Sequence, residues 1–326
     1  GEVLECLPHP DADKLKLTTV SVGPAAPLQI VCGAANVAAG QKVVVAATGT
    51  TIHPLTGGPL TMKVAKIRGV ESHGMICAED EIGIGHSHDG IIVLPANAIV
   101  GSPAADYFKP YSDWIYEIGL TPNRMDAMSH SGVARDVCAY LSFHQQETKA
   151  RSPFGNAFKA DNTRLTIKVI IENKEACQRY AGVTISGLSV AESPQWLKDR
   201  LTAIGQRSIN NIVDITNFIL HETGQPLHAF DADKITGNTI IVQNLPEATK
   251  FISLDAKERK LSSEDLMICN AAEGMCMAGV FGGLDSGVTQ NTTRIFLESA
   301  WFNPISIRKT VVHHDLRTDA ATRFEK

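Results

Sequence analysis

The first 110 residues are cut into short alternating strands, and that punctuation limits what they can build. Strand candidates are residues 3–7, 17–22, 42–46, 61–67 and 91–94. Turn chemistry separates them at His9, Pro10 and Asp11, at Gly33, at Gly57 and Gly58, and from Gly83 to Gly85. Short strands at this spacing close most simply on themselves, so a small β-barrel is expected over 1–110. Residues 17–41 carry no charge and are long enough to suggest a membrane span on length alone. Gly23, Pro24, Pro27, Gly33, Asn36 and Gly40 interrupt them, and no unbroken apolar run approaches the ~20 residues a spanning helix needs. No signal peptide is visible at Gly1, and the ends at Gly1 and Lys326 read as cuts in a longer protein.

Residues 111–150 form a connecting segment. It consists of a strand at 114–118, a Thr-Pro-Asn turn, and a helix capped by Ser129 or Ser131. The polar stretch 143–162 is the expected linker. From 151 to 326 strand-like runs (165–171, 180–185, 239–243, 266–269, 275–280 and 294–299) alternate with helical ones. The most informative helix covers 211–222 and stops before Gly224, a good residue to follow a helix end. Its apolar positions include Ile209, Ile212, Val213, Ile219 and Leu220. Asn210, Asp214, Asn217 and His221 form a polar stripe, and Thr216 sits on the apolar side. Asn303 followed by Pro304 starts the last long helix. The fold class is therefore α+β and multi-domain, with a small closed β-barrel over 1–110 and a mixed sheet-and-helix domain over 151–326.

Charge narrows the function. The 30 Lys and Arg against 35 Asp and Glu give a net charge of -5, which excludes a globally basic nucleic-acid binder. Residues 1–110 hold 7 basic and 10 acidic side chains, and the remainder 23 and 25. Lys63, Lys66 and Arg68, read as alternating along one strand with Arg68 offset, form the one local basic patch there. The seven cysteines are scattered without a C-x-x-C pair, which gives neither a disulfide framework nor a zinc site. His86, His88 and Asp89 read as surface-turn residues, and His313 and His314 as neighbours pointing apart on a helix. There is no phosphate-binding glycine loop, H-E-x-x-H or nucleophile elbow.

Four motifs in order, in GEVLECLPHPDADKLKL, IVCGAANV and KVAKIRGVESHGMICAEDEIG, resemble the oligonucleotide-binding (OB-type) barrel attached as a tRNA-binding module to several aminoacyl-tRNA synthetases, which implies that fold over 1–110. Further along stand YEIGLTPNRMDAMSHSGVARDVCAY, RSINNIVDITNFILHETGQPLHAFD, VFGGLDSGVTQNTTRIFLESAWFNPISIRKT and LRTDAATRFEK. Together these resemble the β chain of bacterial phenylalanyl-tRNA synthetase. Asp315 departs from that pattern, which has Gly before L-R-T, and Val311 and Val312 stand where basic residues are usual.

The resemblance implies the N-terminal part of a longer cytoplasmic subunit whose partners are tRNA(Phe) and an α chain in an α2β2 assembly. ATP and Mg belong to the full synthetase, and no cofactor or metal is expected in this chain. Residues 111–141 would be the returning part of a module that begins before Gly1. It also implies a proofreading pocket that hydrolyses tyrosine wrongly attached to tRNA(Phe). The matching positions are Thr216, Asn217 and His228 near the ester, with Gly282, Gly283, Glu298 and Ala300 around the amino acid. These residue types suit the task. A carboxylate that accepts from a phenol rejects phenylalanine, whose binding would leave it unpaired. An aminoacyl ester is already activated, so oriented water and main-chain donors at the glycines suffice. Each position also has a structural reading: Asp214 and Asn217 on a helix surface, His228 as a core histidine, Glu298 paired with an arginine such as Arg207. The alternative function is a non-catalytic scaffold for tRNA or the α chain.

Overall fold

A computed structural model describes residues 1–155 and 158–326. Residues 156 and 157 of the expected linker lie outside the described residues. The chain divides into two compact units, Gly1–Ser112 and Asp113–Lys326.

In the first unit β1 (Glu2–His9), β2 (Ala12–Ser21) and β3 (Leu28–Cys32) form an antiparallel meander. β4 (Lys42–Val43) pairs with β1, and β5 (Val45–Ala47) follows it after one residue. The short strands β6 (Thr51–Ile52), β7 (Leu60–Thr61), β8 (Ala65–Ile67), β9 (Val70–Ser72) and β10 (Gly74–Ile76) come next. β11 (Val93–Leu94) pairs with β4, and a single-turn helix α1 (Ala104–Phe108) ends the unit. β10 pairs with β5, while Val31 N donates to Ser72 Oγ and His73 N to the Gln29 carbonyl. Those two links carry β3 across to β10 and close the barrel. Val3, Val20, Ile30, Val37, Val43, Ile76 and Ile91 fill it.

The continuous strand expected at 61–67 is not there. β7 pairs with β6 and β8 with β9, so the chain breaks between two hairpins. Arg68 and Gly69 both have positive φ (46° and 87°), as a two-residue hairpin turn requires. Lys63 therefore lies between strands, Lys66 on β8 and Arg68 in the turn. All three are exposed, but they do not share a strand.

In the second unit the expected strand at 114–118 is also absent. Trp114, Ile115, Tyr116 and Ile118 are exposed, and no described strand pairs with them. Strand-forming side chains do not make a strand without a neighbouring ladder to satisfy the backbone. Ser129, rather than Ser131, caps α2 (His130–His144), accepting from Gly132 N.

Two sheets then share one core. β12 (Lys168–Ile171) opens the first and β13 (Cys177–Ser186) the second. After the helices α3 (Gln195–Ala203) and α4 (Asn211–Thr223) come β14 (His228–Asp231), β15 (Thr239–Asn244) and the hairpin β16 (Lys250–Ile252) with β17 (Glu258–Lys260). β18 (Leu266–Cys269), β19 (Gly274–Met277), β20 (Phe281–Gly282) and β21 (Arg294–Phe302) complete the strands, followed by α5 (Pro304–His314) and α6 (Asp319–Phe324). The first sheet runs β12-β15-β18-β19-β20 and the second β13-β21-β14. Phe230, Ile240, Met267, Ile268, Met277, Phe296 and Phe302 are among the side chains packed between them. The helix boundaries follow local chemistry. Asn210 accepts from Ile212 N and Val213 N to start α4, and Gly224 in the left-handed region ends it (φ 85°). Asn303 caps α5, with Pro304 in the first turn.

Candidate active site

The central strand β21 alternates as its sequence demands. Phe296, Glu298, Ala300 and Phe302 turn to the buried face, while Trp301 is exposed. Glu298 lies opposite Gly182 on β13 and opposite His228 on β14, so the three share one row across the sheet. Two residue pairs along, on the same face, Tyr180 is opposite Ala300. The small side chain of Ala300 leaves the diagonal between Tyr180 and Glu298 open, and the Tyr180 hydroxyl donates to Glu298 Oε2 at 2.6 Å. A Cβ on Gly182 would collide with the Phe296 ring, so glycine is needed for that ring to lie where it does. The Tyr180 and Phe296 rings are nearly parallel, 6.4 Å apart. Glu298 thus pairs with a phenol, not with an arginine.

Burial sets the protonation of the row. It pushes the Glu298 carboxyl up to about 7, against the opposing pull of the Tyr180 hydrogen bond. It pushes the His228 imidazole down to about 4, so the ring is neutral near pH 7. His228 Nε2 is buried without a hydrogen-bond partner. The ring packs edge-on against Phe230 at 4.4 Å. On its other side lies Gly282, where a Cβ would sit 3.2 Å from His228 Cε1. Tyr180 is raised well above the usual phenol value, by burial first and the Glu298 charge second.

The remaining expected residues divide. Gly283 is sterically required, since a Cβ there would lie 2.5 Å from the Met275 carbonyl. Its N–H already donates to that carbonyl at 2.8 Å, so the expectation of a free main-chain donor at Gly283 is corrected. Thr216 is buried on α4, the helix that packs on β14. Its hydroxyl donates back to the Val213 carbonyl at 2.7 Å. Asn217 is half-buried, and its amide makes no side-chain hydrogen bond among the described residues. The Ala300 carbonyl accepts from Gln225 Nε2 at 3.1 Å, tying the loop before β14 to β21. Glu298, His228 and Ala300 therefore gather on the second sheet, Gly282 meets His228 from β20 of the first, and Thr216 and Asn217 lie on the helix beside β14. A cleft of about 840 Å³ lies nearby, lined by Phe251, Leu261, Met275 and Gly283 but by neither His228 nor Glu298.

Two readings of charged residues change. Asp214 is fully buried rather than on a helix surface. It accepts from Ser193 Oγ and Ser208 Oγ at 2.5 Å each and from Ile209 N at 2.8 Å, which anchors α4 to the two loops before it. His313 and His314 do not point apart: their ring centroids are 4.6 Å from each other, and His314 Nε2 meets the buried Asp265 carboxylate at 2.7 Å. Asp265, His313 and His314 have metal-ligating types within 4.8 Å, although the His314–Asp265 hydrogen bond already occupies two of them. Sequence reasoning missed Tyr180 and Gly182 altogether. Their spacing of two on a strand was visible, but their partners lie more than a hundred residues away.

Comparison with known proteins shows the family of the chain. Residues 1–103 match the family described as "Putative tRNA binding domain", and residues 176–326 the family described as "B3/4 domain". The phenylalanine–tRNA ligase β subunit of Bacteroides fragilis is 58% identical over 326 residues, all of this chain. The chain belongs to the phenylalanine–tRNA ligase β-subunit family. Among other β subunits, that of Porphyromonas gingivalis is 55% identical and that of Salinibacter ruber 45%, each across all of the chain. The chain spans 40% of the length of each of these β subunits. A solved N-terminal fragment of the phenylalanyl-tRNA synthetase β subunit from Pyrococcus horikoshii aligns with 62% of this chain and 58% of its own. Its 16% identity and TM-score of 0.33 are too low to add to the argument. Among the described residues no helix is long and apolar enough to cross a membrane.

Proposed function

We propose that this stretch of the β subunit carries a proofreading site that hydrolyses tyrosine wrongly esterified to tRNA(Phe). One observation carries the reading: a buried carboxyl that already accepts a phenolic hydroxyl stands opposite a half-buried imidazole whose Nε2 is enclosed and unpartnered. The first recognises what distinguishes tyrosine from phenylalanine. The second is a polar atom kept dry until a ligand or water reaches it.

Hydrolysis transfers the aminoacyl carbonyl from the tRNA hydroxyl to water. His228, neutral but a weak base, orients that water by hydrogen bonding rather than by holding a full proton. Thr216 commits its proton to Val213, so it serves the site as an acceptor. Asn217, with its amide uncommitted, supplies the donor for the ester carbonyl as charge builds on it. Gly282 brings the main chain against the imidazole and leaves room for the amino acid, and Ala300 keeps the wall beside Glu298 low. Lys63, Lys66 and Arg68 would touch the tRNA backbone. Aminoacylation with ATP and Mg, and assembly with an α chain in the cytoplasm, belong in this reading to the whole enzyme.

The test compares deacylation of tyrosyl- and phenylalanyl-tRNA(Phe), with α chain supplied if the fragment alone is silent. The wild type should favour the tyrosyl ester. Glu298→Ala should lower that preference by about one to two powers of ten, because a hydrogen bond to a charged group contributes roughly 1.5–3 kcal/mol. Unchanged selectivity in a folded variant would favour a non-catalytic scaffold for tRNA or the α chain.

A further inference from the structure

Glu298 is not a free carboxyl. Oε2 accepts from Tyr180, while Oε1 has no side-chain or main-chain partner among the described residues. Nor is Oε1 one of the fully enclosed unpartnered side-chain atoms among the described residues, which are His228 Nε2 and Arg323 Nε. The carboxyl is thus held by one oxygen and not fully enclosed at the other. Tyr180 is itself fixed. Its ring stacks on Phe296, which lies in the gap left by Gly182, and its backbone is in register with Ala300 on the central strand.

We propose that Tyr180 is a positioning and specificity residue of the proofreading site, holding Glu298 by Oε2 so that Oε1 alone meets the phenol of a mischarged tyrosine. This rests on the proofreading reading above. A single presented oxygen gives one phenol a defined place, whereas a carboxyl free to rotate could turn both oxygens toward water or a neighbour. The same hydrogen bond favours the ionised carboxylate. The other titratable groups around Glu298 are Cys177 on β13, Cys276 on β19 and His228 on β14, and none of them is a cation near pH 7. Tyr180 is then the group that offsets the cost of burying the charge. When phenylalanine enters, the ionised Oε1 is left without a donor, which is the basis of rejection.

The test uses amide-linked tyrosyl- and phenylalanyl-adenosine, which bind without being hydrolysed, and follows their affinities across pH for the wild type, Tyr180→Phe and Glu298→Gln. Removing only the hydroxyl keeps the stacked ring, and thermal melting checks that each variant folds. The wild type should prefer the tyrosyl probe, and Glu298→Gln should lose that preference. Tyr180→Phe should reduce it by about tenfold and move the pH at which it appears upward. A second measurement does not depend on the probes. Spectrophotometric titration should find a tyrosine in the wild type that ionises late, absent in Tyr180→Phe and returned toward the ordinary range in Glu298→Gln.

If the wild type prefers the tyrosyl probe, Glu298→Gln abolishes the preference and Tyr180→Phe leaves both the ratio and its pH midpoint unchanged, the role of Tyr180 is overturned while the proofreading reading stands. A stronger tyrosyl preference in Tyr180→Phe would overturn it too, since Tyr180 would then be competing with the ligand. No preference in the wild type, or one that survives Glu298→Gln, overturns both.

Discussion

At the scale of single residues, the pair across the sheet makes a prediction about stability and pH. Burial raises Glu298 to about 7, so the folded protein holds that proton more tightly than the unfolded chain. Its favourable contribution is complete below about 4.5 and is lost as pH rises through about 7. His228 behaves in the opposite sense. With its value lowered to about 4, its contribution is complete above about 6.5 and is lost as pH falls through about 4. Each effect amounts to about 3 kcal/mol over its window, and between about 4.5 and 6.5 the two slopes offset. Glu298→Gln should therefore expose the histidine, with stability that rises with pH over this range relative to the wild type. His228→Gln should expose the carboxyl, with stability that falls. Urea melts at a series of pH values decide this, and two variants that track the wild type in parallel would contradict the burial argument. The motifs that carry the family resemblance pointed to Glu298 and His228, and the structure sets the two opposite each other across the sheet. Their protonation was not legible in the sequence, because it depends on what the rest of the core removes from water. Nor was Tyr180, since no local pattern joins it to a carboxylate 118 positions later.

At the scale of elements, what could be read locally was read well. The start of α4 at residue 211, its end before Gly224, and the Asn303–Pro304 opening of α5 each depend on hydrogen bonds within a few residues, although Asn210, which caps α4, reads in the sequence as part of a polar stripe. What depends on a distant partner was misread. The chain at 114–118 has strand composition without a described neighbour to pair with, and the basic residues 63–68 fall on either side of a hairpin boundary. Asp214 belongs to the same class, because a polar stripe on a helix looks solvent-facing until loops fold over it. Its three donors come from Ser193, Ser208 and Ile209, so it staples α4 to the loops that precede it. Asp214→Ala would leave the buried Ser193 hydroxyl unpaired and remove the acceptor of the less buried Ser208 and Ile209 donors, at a cost of about 3 kcal/mol. Asn210→Ala, which removes only the cap of the same helix, should cost about 1 kcal/mol. Chemical denaturation of the two variants tests the ranking. Equal losses would mean that the loops move to solvate their own donors and that Asp214 is not the anchor. Because α4 carries Thr216 and Asn217, the Asp214 variant should also slow deacylation while leaving the choice between tyrosine and phenylalanine to Glu298.

At the scale of the whole molecule, net charge governs how the chain meets a polyanion. Both parts are acidic, with 7 basic against 10 acidic side chains in residues 1–110 and 23 against 25 in the rest. The match to a tRNA-binding family over 1–103 indicates a nucleic-acid surface, but an acidic one cannot hold RNA chiefly by displacing counterions. Lys63, Lys66 and Arg68 are exposed on and beside the β8 hairpin and are the basic residues grouped there. With about three phosphate contacts, log affinity for tRNA(Phe) should fall against log salt with a slope of about −2 to −3. Replacing Lys63, Lys66 and Arg68 together by alanine should bring that slope close to zero and weaken binding similarly for any tRNA, since phosphate contacts carry no sequence information. Filter binding or fluorescence anisotropy across a salt series measures both quantities. A slope of about −6 or steeper would mean a phosphate-binding surface elsewhere on the chain. A slope unchanged in the triple variant would remove these three residues from the interface. The shallow slope has a functional consequence as well. On the proposed proofreading reading, a β-subunit segment that adds little electrostatic grip would let the acceptor end arrive and leave quickly, leaving selection to the buried carboxyl and not to the affinity of the tRNA body.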